Sequence, residues 1–231
     1  MLRYLTNTNI VSLLIQMLAV IFSLSFHECA HAFWAYRLGD DTAYRQGRIT
    51  LNPISHLEPI GFLMMLFAPI GWAKPVPVNP ANFRRNKNSR TGFMEVALAG
   101  PLSNVILAMV SYFIYSLAII FVLQSSRVGT VGVGRLMALL LEFLNVMIIV
   151  NLNLAVFNLL PFPPLDGFNI YGRLLPRNIY EFIYAKSNLC MITMFMLVAF
   201  LPGVFSRIMH VIRLPIFYLI TKPIDLIFSL F

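Results

Sequence analysis

Charge is scarce in this chain. Asp, Glu, Lys and Arg make up 11% of its 231 residues, whereas 59% are hydrophobic. Soluble domains carry about a quarter charged residues, so a water-facing globule is excluded as the main plan. Acidic residues are the scarcest: 9 Asp+Glu face 17 Lys+Arg, a net charge of +8. In so apolar a chain that excess sets topology and meets anionic lipid; it does not point to nucleic acid. Only two cysteines are present, Cys29 and Cys190, each inside an apolar segment, which excludes a disulfide framework. No small-residue cleavage site follows the first apolar run, so it does not read as a signal peptide. Repeats and low-complexity tracts are absent as well. What remains is a set of long apolar runs, which predict an α-helical polytopic membrane protein, residues 1–231 forming one membrane-embedded domain.

The first run, Ile10 to Leu38, is long enough to span a bilayer, and Gly39 is a natural stop. In its last third it reads Phe26-His27-Glu28-Cys29-Ala30-His31. Residues four apart on a helix lie one turn above each other. His27 and His31 therefore project from one face at a spacing suited to one zinc ion. Glu28 flanks that face, where its carboxylate reaches a metal-bound water rather than the metal, the place of a general base. Ionisable side chains are costly inside a bilayer, so the group reads as functional. Cys29 lies about 200° round the helix from His27 and reads as a packing residue.

Residues 40 to 90 differ. Arg45, Arg48, Lys74, Arg84, Arg85, Lys87 and Arg90 fall here, with prolines at 53, 59, 69, 75, 77 and 80. The positive-inside rule places this stretch, and the nearer mouth of the site, in the cytoplasm. Tyr44 to Leu51 and Ala73 to Val78 read as short strands. Pro59 to Gly71 is apolar but too short to span, and fits either a re-entrant segment or a partly buried loop.

Further spans are expected at 92–123, 135–160 and 188–201, with the tail from Val204 either a fifth span or a surface helix. That gives about four to five transmembrane helices with a small strand or re-entrant insertion after the first. The second span carries Gly100, Pro101 and Asn104; position alone makes Asn104 an interhelical hydrogen-bonding residue or an oxyanion donor. The third holds Glu142, Asn145, Asn151, Asn153 and Asn158, and ends at Pro161, Pro163 and Pro164 before Asp166-Gly167. That dipeptide suits a turn, and alone it leaves Asp166 open between turn residue and ligand.

Several of these segments, in order, resemble the site-2 protease family of intramembrane zinc metalloproteases. FHECAHAFWAYRLGD is similar to that family's zinc-binding helix, and NPISHLEP (Asn52 to Pro59) to its NPxxHxDP segment, with Glu58 where Asp is common. GWAKPVPVNP, AGPLSN (Ala99 to Asn104) and NLLPFPPLDG resemble three further elements, so the likeness covers roughly residues 20 to 170. The resemblance implies that His27, His31 and Asp166 bind one zinc ion per chain and that Glu28 is catalytic. It also implies that Asn104 helps to bind the substrate carbonyl or oxyanion; it leaves His56 without a role. Two His and one carboxylate leave a fourth zinc position for water. Many bacterial relatives carry a PDZ domain between the later spans, but the dozen residues between the second and third spans here leave no room for one.

The implied activity is an intramembrane zinc endopeptidase, most simply of a bacterial inner membrane, acting on a membrane-anchored protein within the lipid bilayer. Its site lies nearer the cytoplasmic side. A zinc transporter or an inactive scaffold is the rival. A transporter needs polar ligands along a path, whereas the candidates here gather at one depth; a scaffold has no need of Glu28.

Overall fold

The computed structural model describes residues 10–61, 73–84, 88–127 and 134–228, and nearly all of its regular structure is helical. Helix α1 is Ile10–Leu38, α2 is the single turn Thr42–Arg45, α3 is Ser89–Arg127 and α4 is Arg135–Asn158. Four more follow: α5 (Asp166–Gly172), α6 (Arg177–Ala185), α7 (Ser187–Phe200) and α8 (Pro202–Phe228). Three helices, α1, α3 and α4, are long and apolar enough to cross a membrane; a fourth crossing is possible if α6 and α7, bent by 64°, count together.

These three pack on one another through small side chains, the usual means of close approach where lipid removes the hydrophobic drive between helices. On α1 the buried residues include Ala19, Ser23, Ala32 and Ala35. Ala108 of α3 meets Ile148 and Leu152 of α4 and Ile220 of α8 in one core cluster. The opposite face of α3 leaves Leu102, Ile106, Val110, Phe113, Leu117 and Phe121 exposed, three or four residues apart. A stripe of that length is a surface for lipid rather than water.

Helix α8 runs antiparallel to α4. Phe205 stacks edge-on against Phe157, Arg213 bonds Asn153, and Ile220 joins Ile148, so contacts climb α8 as they descend α4. Farther along, Tyr112 of α3 donates to Asp225 at 2.6 Å.

No strand is present among the described residues; one isolated antiparallel bridge joins Leu57 to Ala73. The expected strand at 44–51 is corrected to a helical turn followed by a left-handed Gly47 at φ 65°. The cause is Asp40, whose Oδ1 accepts from the Thr42 backbone N–H and hydroxyl and so starts the turn. The expected strand at 73–78 is extended but has no ladder. Pro75 and Pro77 have no N–H to give. Its remaining donors go elsewhere: Lys74 N–H to the His56 carbonyl and Val76 N–H to the Glu28 carboxylate. Of the expected re-entrant segment 59–71, residues 62–71 lie outside the described residues.

Asp40 also ties the far end of that segment to α1. Its Oδ2 accepts from Asn79 N–H at 2.6 Å and its Oδ1 from the Asn82 amide at 3.0 Å. Burial alone would raise this carboxyl's pKa, but the hydrogen bonds from Thr42, Asn79 and Asn82 outweigh it and hold the group below the ordinary value.

Candidate metal centre

His27 and His31 are buried one turn apart on α1, at 4% and 8% exposure. Their Nε2 atoms lie 3.0 Å apart. Such closeness requires an empty space opposite, and Gly100 of α3 provides it. A Cβ at Gly100 would sit 2.4 Å from His31 Nε2 and 2.6 Å from His27 Cε1. Gly100 thus admits two imidazole rings, where the sequence suggested backbone approach or a kink; α3 continues through Pro101.

The outer nitrogen of each ring is spoken for. His31 Nδ1 lies 2.7 Å from the Val96 carbonyl, which can only accept, so it carries a proton. His27 Nδ1 lies 2.6 Å from Asn104 Oδ1. The orientation of that amide follows from its other contacts: Asn104 Nδ2 faces the Ser23 carbonyl at 3.3 Å and Asn151 Oδ1 at 2.8 Å. Oδ1 is therefore turned to His27, and His27 Nδ1 is the donor. In the neutral rings both inward Nε2 atoms then carry lone pairs.

Asp166 completes the group. Pro161, Pro163 and Pro164 end α4 and turn the chain, and Asp166 opens α5. Gly167 lets the helix start tightly against α4, because a Cβ there would lie 2.3 Å from the Leu160 carbonyl oxygen. Asp166 Oδ2 is 3.2 Å from both His27 Nε2 and His31 Nε2. It is buried and has no hydrogen-bond donor. Three acceptor atoms within 4.8 Å of one another, with no proton between them, are a set that a cation satisfies. Two imidazoles and a carboxylate suit zinc and leave a position open.

The three lie at the head of a cavity of about 390 Å³ that also takes in Glu28, Val76, Asn158 and Asn169. Glu28 is half-buried, and its Oε2 accepts from Val76 N–H at 3.1 Å. The segment behind Val76 is pinned: buried Arg48 donates to the carbonyls of Lys74 and Pro75. His56, buried at 2% exposure, is 2.8 Å from the Thr50 carbonyl and so donates to it. Its own carbonyl accepts from Lys74 N–H. His56 therefore braces the loop that meets Glu28 and is no part of the metal cluster.

Asn104 does not line this cavity. It is 0% exposed, and both ends of its amide are used within the protein. The chain of bonds continues: Asn151 Nδ2 donates to Ser23 Oγ and to the Met147 carbonyl, both at 2.8 Å. The amides that line the cavity are Asn158, whose Nδ2 donates one of its hydrogens to the Leu154 carbonyl one turn back, and Asn169, whose Oδ1 accepts from the Tyr180 hydroxyl. In the sequence Asn158 was one of five polar residues in an apolar run; its eight-residue distance from Asp166, across the prolines, was the available signal. Cys29 and Cys190 are half-buried free thiols apart from the cluster.

Residues 15–201 match the model of the family described as peptidase family M50. A Bacillus subtilis protein named "Putative zinc metalloprotease YwhC" is 42% identical over 162 residues, covering 70% of this chain and 69% of that protein. Relatives named in the same terms, Rip2 of Mycolicibacterium smegmatis and of Mycobacterium tuberculosis, are each 31% identical. The matched regions cover 54% and 51% of those two proteins, about half their length. No solved structure matches the chain.

Proposed function

The chain belongs to peptidase family M50, the site-2 protease family, and on that premise we propose that it is a membrane-embedded zinc endopeptidase. Its substrate is a membrane-anchored protein, cut within a transmembrane segment. The observation that carries this reading is the donor-free meeting of His27 Nε2, His31 Nε2 and Asp166 Oδ2 at the head of a cavity that also holds Glu28.

We assign the metal to those three residues, one zinc per chain. A zinc ion held there would supply a polarised scissile carbonyl and a water of lowered pKa. The rest falls to the chain. Glu28 takes the proton of the attacking water and returns it to the leaving amine. Its bond to Val76 N–H sets the direction of the carboxylate before substrate arrives. Asn158 offers its amide to the carbonyl oxygen as negative charge develops. Asn104 acts from behind the site, as the positioning residue that keeps the His27 proton on Nδ1.

A transmembrane substrate is helical and its amides are hidden, so it must unwind to be cut. The extended segment 74–79 lies along the cavity and is suited to guide the unwound stretch by side-chain contact, since its Lys74, Val76 and Asn79 N–H groups are already bonded within the protein and leave little for strand addition. The decisive experiment follows cleavage of a tagged single-span protein by immunoblot, beside zinc content by mass spectrometry. Glu28→Gln should keep its zinc and lose at least about 10²–10⁴ in rate. A Glu28→Gln protein that cuts at the wild-type rate with zinc bound would remove the proposal.

A further inference from the structure

A second cavity, about 800 Å³, lies between the C-terminal half of α4 and the α7–α8 pair. That is within the range of small-molecule sites, about 300–1,000 Å³. Its walls are apolar, among them Phe157, Phe195, Val198 and Phe205, yet three cationic or titratable side chains of α8 line it: Arg207, His210 and Arg213. No carboxylate is among the lining residues. Arg213 Nη1 donates to Asn153 Oδ1 at 3.0 Å, and its Nη2 lies 3.4 Å from His210 Nδ1. Neither partner is an anion. Among the described residues, Arg207 is exposed and has no side-chain partner.

Depth decides what can meet these charges. Helix α4 has 24 residues, about 36 Å at 1.5 Å per residue, against a hydrocarbon thickness of about 30 Å. Asn153 stands five residues before the end of α4, and Phe157 one residue before it. Arg213 packs beside Asn153 and Phe205 beside Phe157, so with α4 centred on the hydrocarbon the arginines lie in its outer few ångströms, within side-chain reach of the headgroups. An arginine there that no protein carboxylate neutralises is suited to a lipid phosphate.

We propose that this cavity is a binding site for an anionic phospholipid, its phosphate held by Arg207 and Arg213 and an acyl chain lying against Phe157, Phe195 and Val198. Leu154 and Phe157 line this cavity and the metal-site cavity alike. A lipid bound here therefore braces one wall of the other cavity. The site does not depend on the peptidase reading, and binding can be measured without activity.

The test uses the full chain purified in detergent, with phosphatidylglycerol or phosphatidylcholine added, and reads lipid adducts by native mass spectrometry and the thermal unfolding midpoint. The expected result is one retained phosphatidylglycerol and a raised midpoint, with phosphatidylcholine weaker in both. Arg207→Gln, on an exposed and unpartnered side chain, should leave the fold intact and reduce phosphatidylglycerol retention at least several-fold. Arg207→Lys should restore most of it. Equal retention of the two lipids, or unchanged preference in Arg207→Gln, overturns the proposal. Inorganic phosphate alone reproducing the shift would make this a free-anion site and also overturn it. So would displacement of all lipid by a single-span peptide, which would give the cavity to substrate.

Discussion

Asn104 Oδ1 sits 2.6 Å from His27 Nδ1 and thereby decides which nitrogen of that ring is free to face Asp166. Removing the acceptor frees the ring to turn or change tautomer. Asn104→Ala should weaken zinc binding by about 10–100-fold, the usual scale for a residue that orients a metal-bound histidine. Asn104→Asp retains an acceptor and should recover part of the loss. Competition for zinc with a chromogenic chelator reads both; wild-type affinity in Asn104→Ala would rule out the positioning role.

Asn158 should behave in the opposite way. It lines the cavity that holds the metal cluster without being one of the three ligands. Asn158→Ala should therefore keep its zinc but cut slowly, by about 10²–10³ for one lost oxyanion donor. Unchanged cleavage by Asn158→Ala would return the search for an oxyanion donor to other groups.

Gly100→Ala tests the space between α1 and α3. The new methyl carbon would fall 2.4 Å from His31 Nε2 and 2.6 Å from His27 Cε1. No rotamer change can remove it, so the rings must part. Zinc should be lost while the helical circular dichroism stays. Full zinc occupancy in Gly100→Ala would mean that the two helices separate more readily than their packing implies.

Asp40 gives the fold an acid limit. Its folded pKa lies below the unfolded value of about 3.9. Its contribution is thus complete above the unfolded value and lost as pH falls through it toward the folded one. Asp40→Asn leaves buried donors of Thr42, Asn79 and Asn82 poorly matched, a cost of about 1–3 kcal/mol. Thermal melts at pH 7 and below should show the variant less stable at neutral pH and less sensitive to acid; parallel pH curves would count against it.

Topology is the fifth expectation. The start of α3 at Ser89 and the start of α4 at Leu136 are both exposed and lie at opposite ends of the helix pair. Single cysteines at these positions in a background lacking Cys29 and Cys190 should label from opposite sides, Ser89 from the cytoplasm. Labelling of both from one side would mean that α3 does not cross the membrane, and Ser89 labelled from outside would reverse the orientation.

Much of this centre was legible because its spacing is local. His27 and His31 share a helix face by period alone, and α1 ends where the apolar run does. The direction in which an amide points is not a local property. Asn104 and Asn158 look alike as single polar residues in apolar helices; only packing turns one against His27 and the other toward the cavity. The strands failed for a similar reason. Extended-looking residues at 44–51 lie next to Asp40, whose carboxylate captures Thr42 and coils the chain. Those at 73–78 are extended, but their amides are claimed by His56 and Glu28. His56 had no readable role because its partner, the Thr50 carbonyl, is a backbone group.

The network of Ser23, Asn104 and Asn151 also bears on biogenesis. It draws one side chain from each of α1, α3 and α4, and each is a polar group in hydrocarbon until the other two arrive. A nascent chain presents both histidines early, when α1 enters the membrane, but lacks the carboxylate until Asp166 has been made. Early in that interval, before residues 76 and 104 have been made, His27 has no Asn104 to settle its proton, and Glu28 has no Val76 amide to direct it. On the function proposed above, a centre completed only when the third of these helices docks would spare neighbouring chains at the insertion machinery while the protein is itself being made.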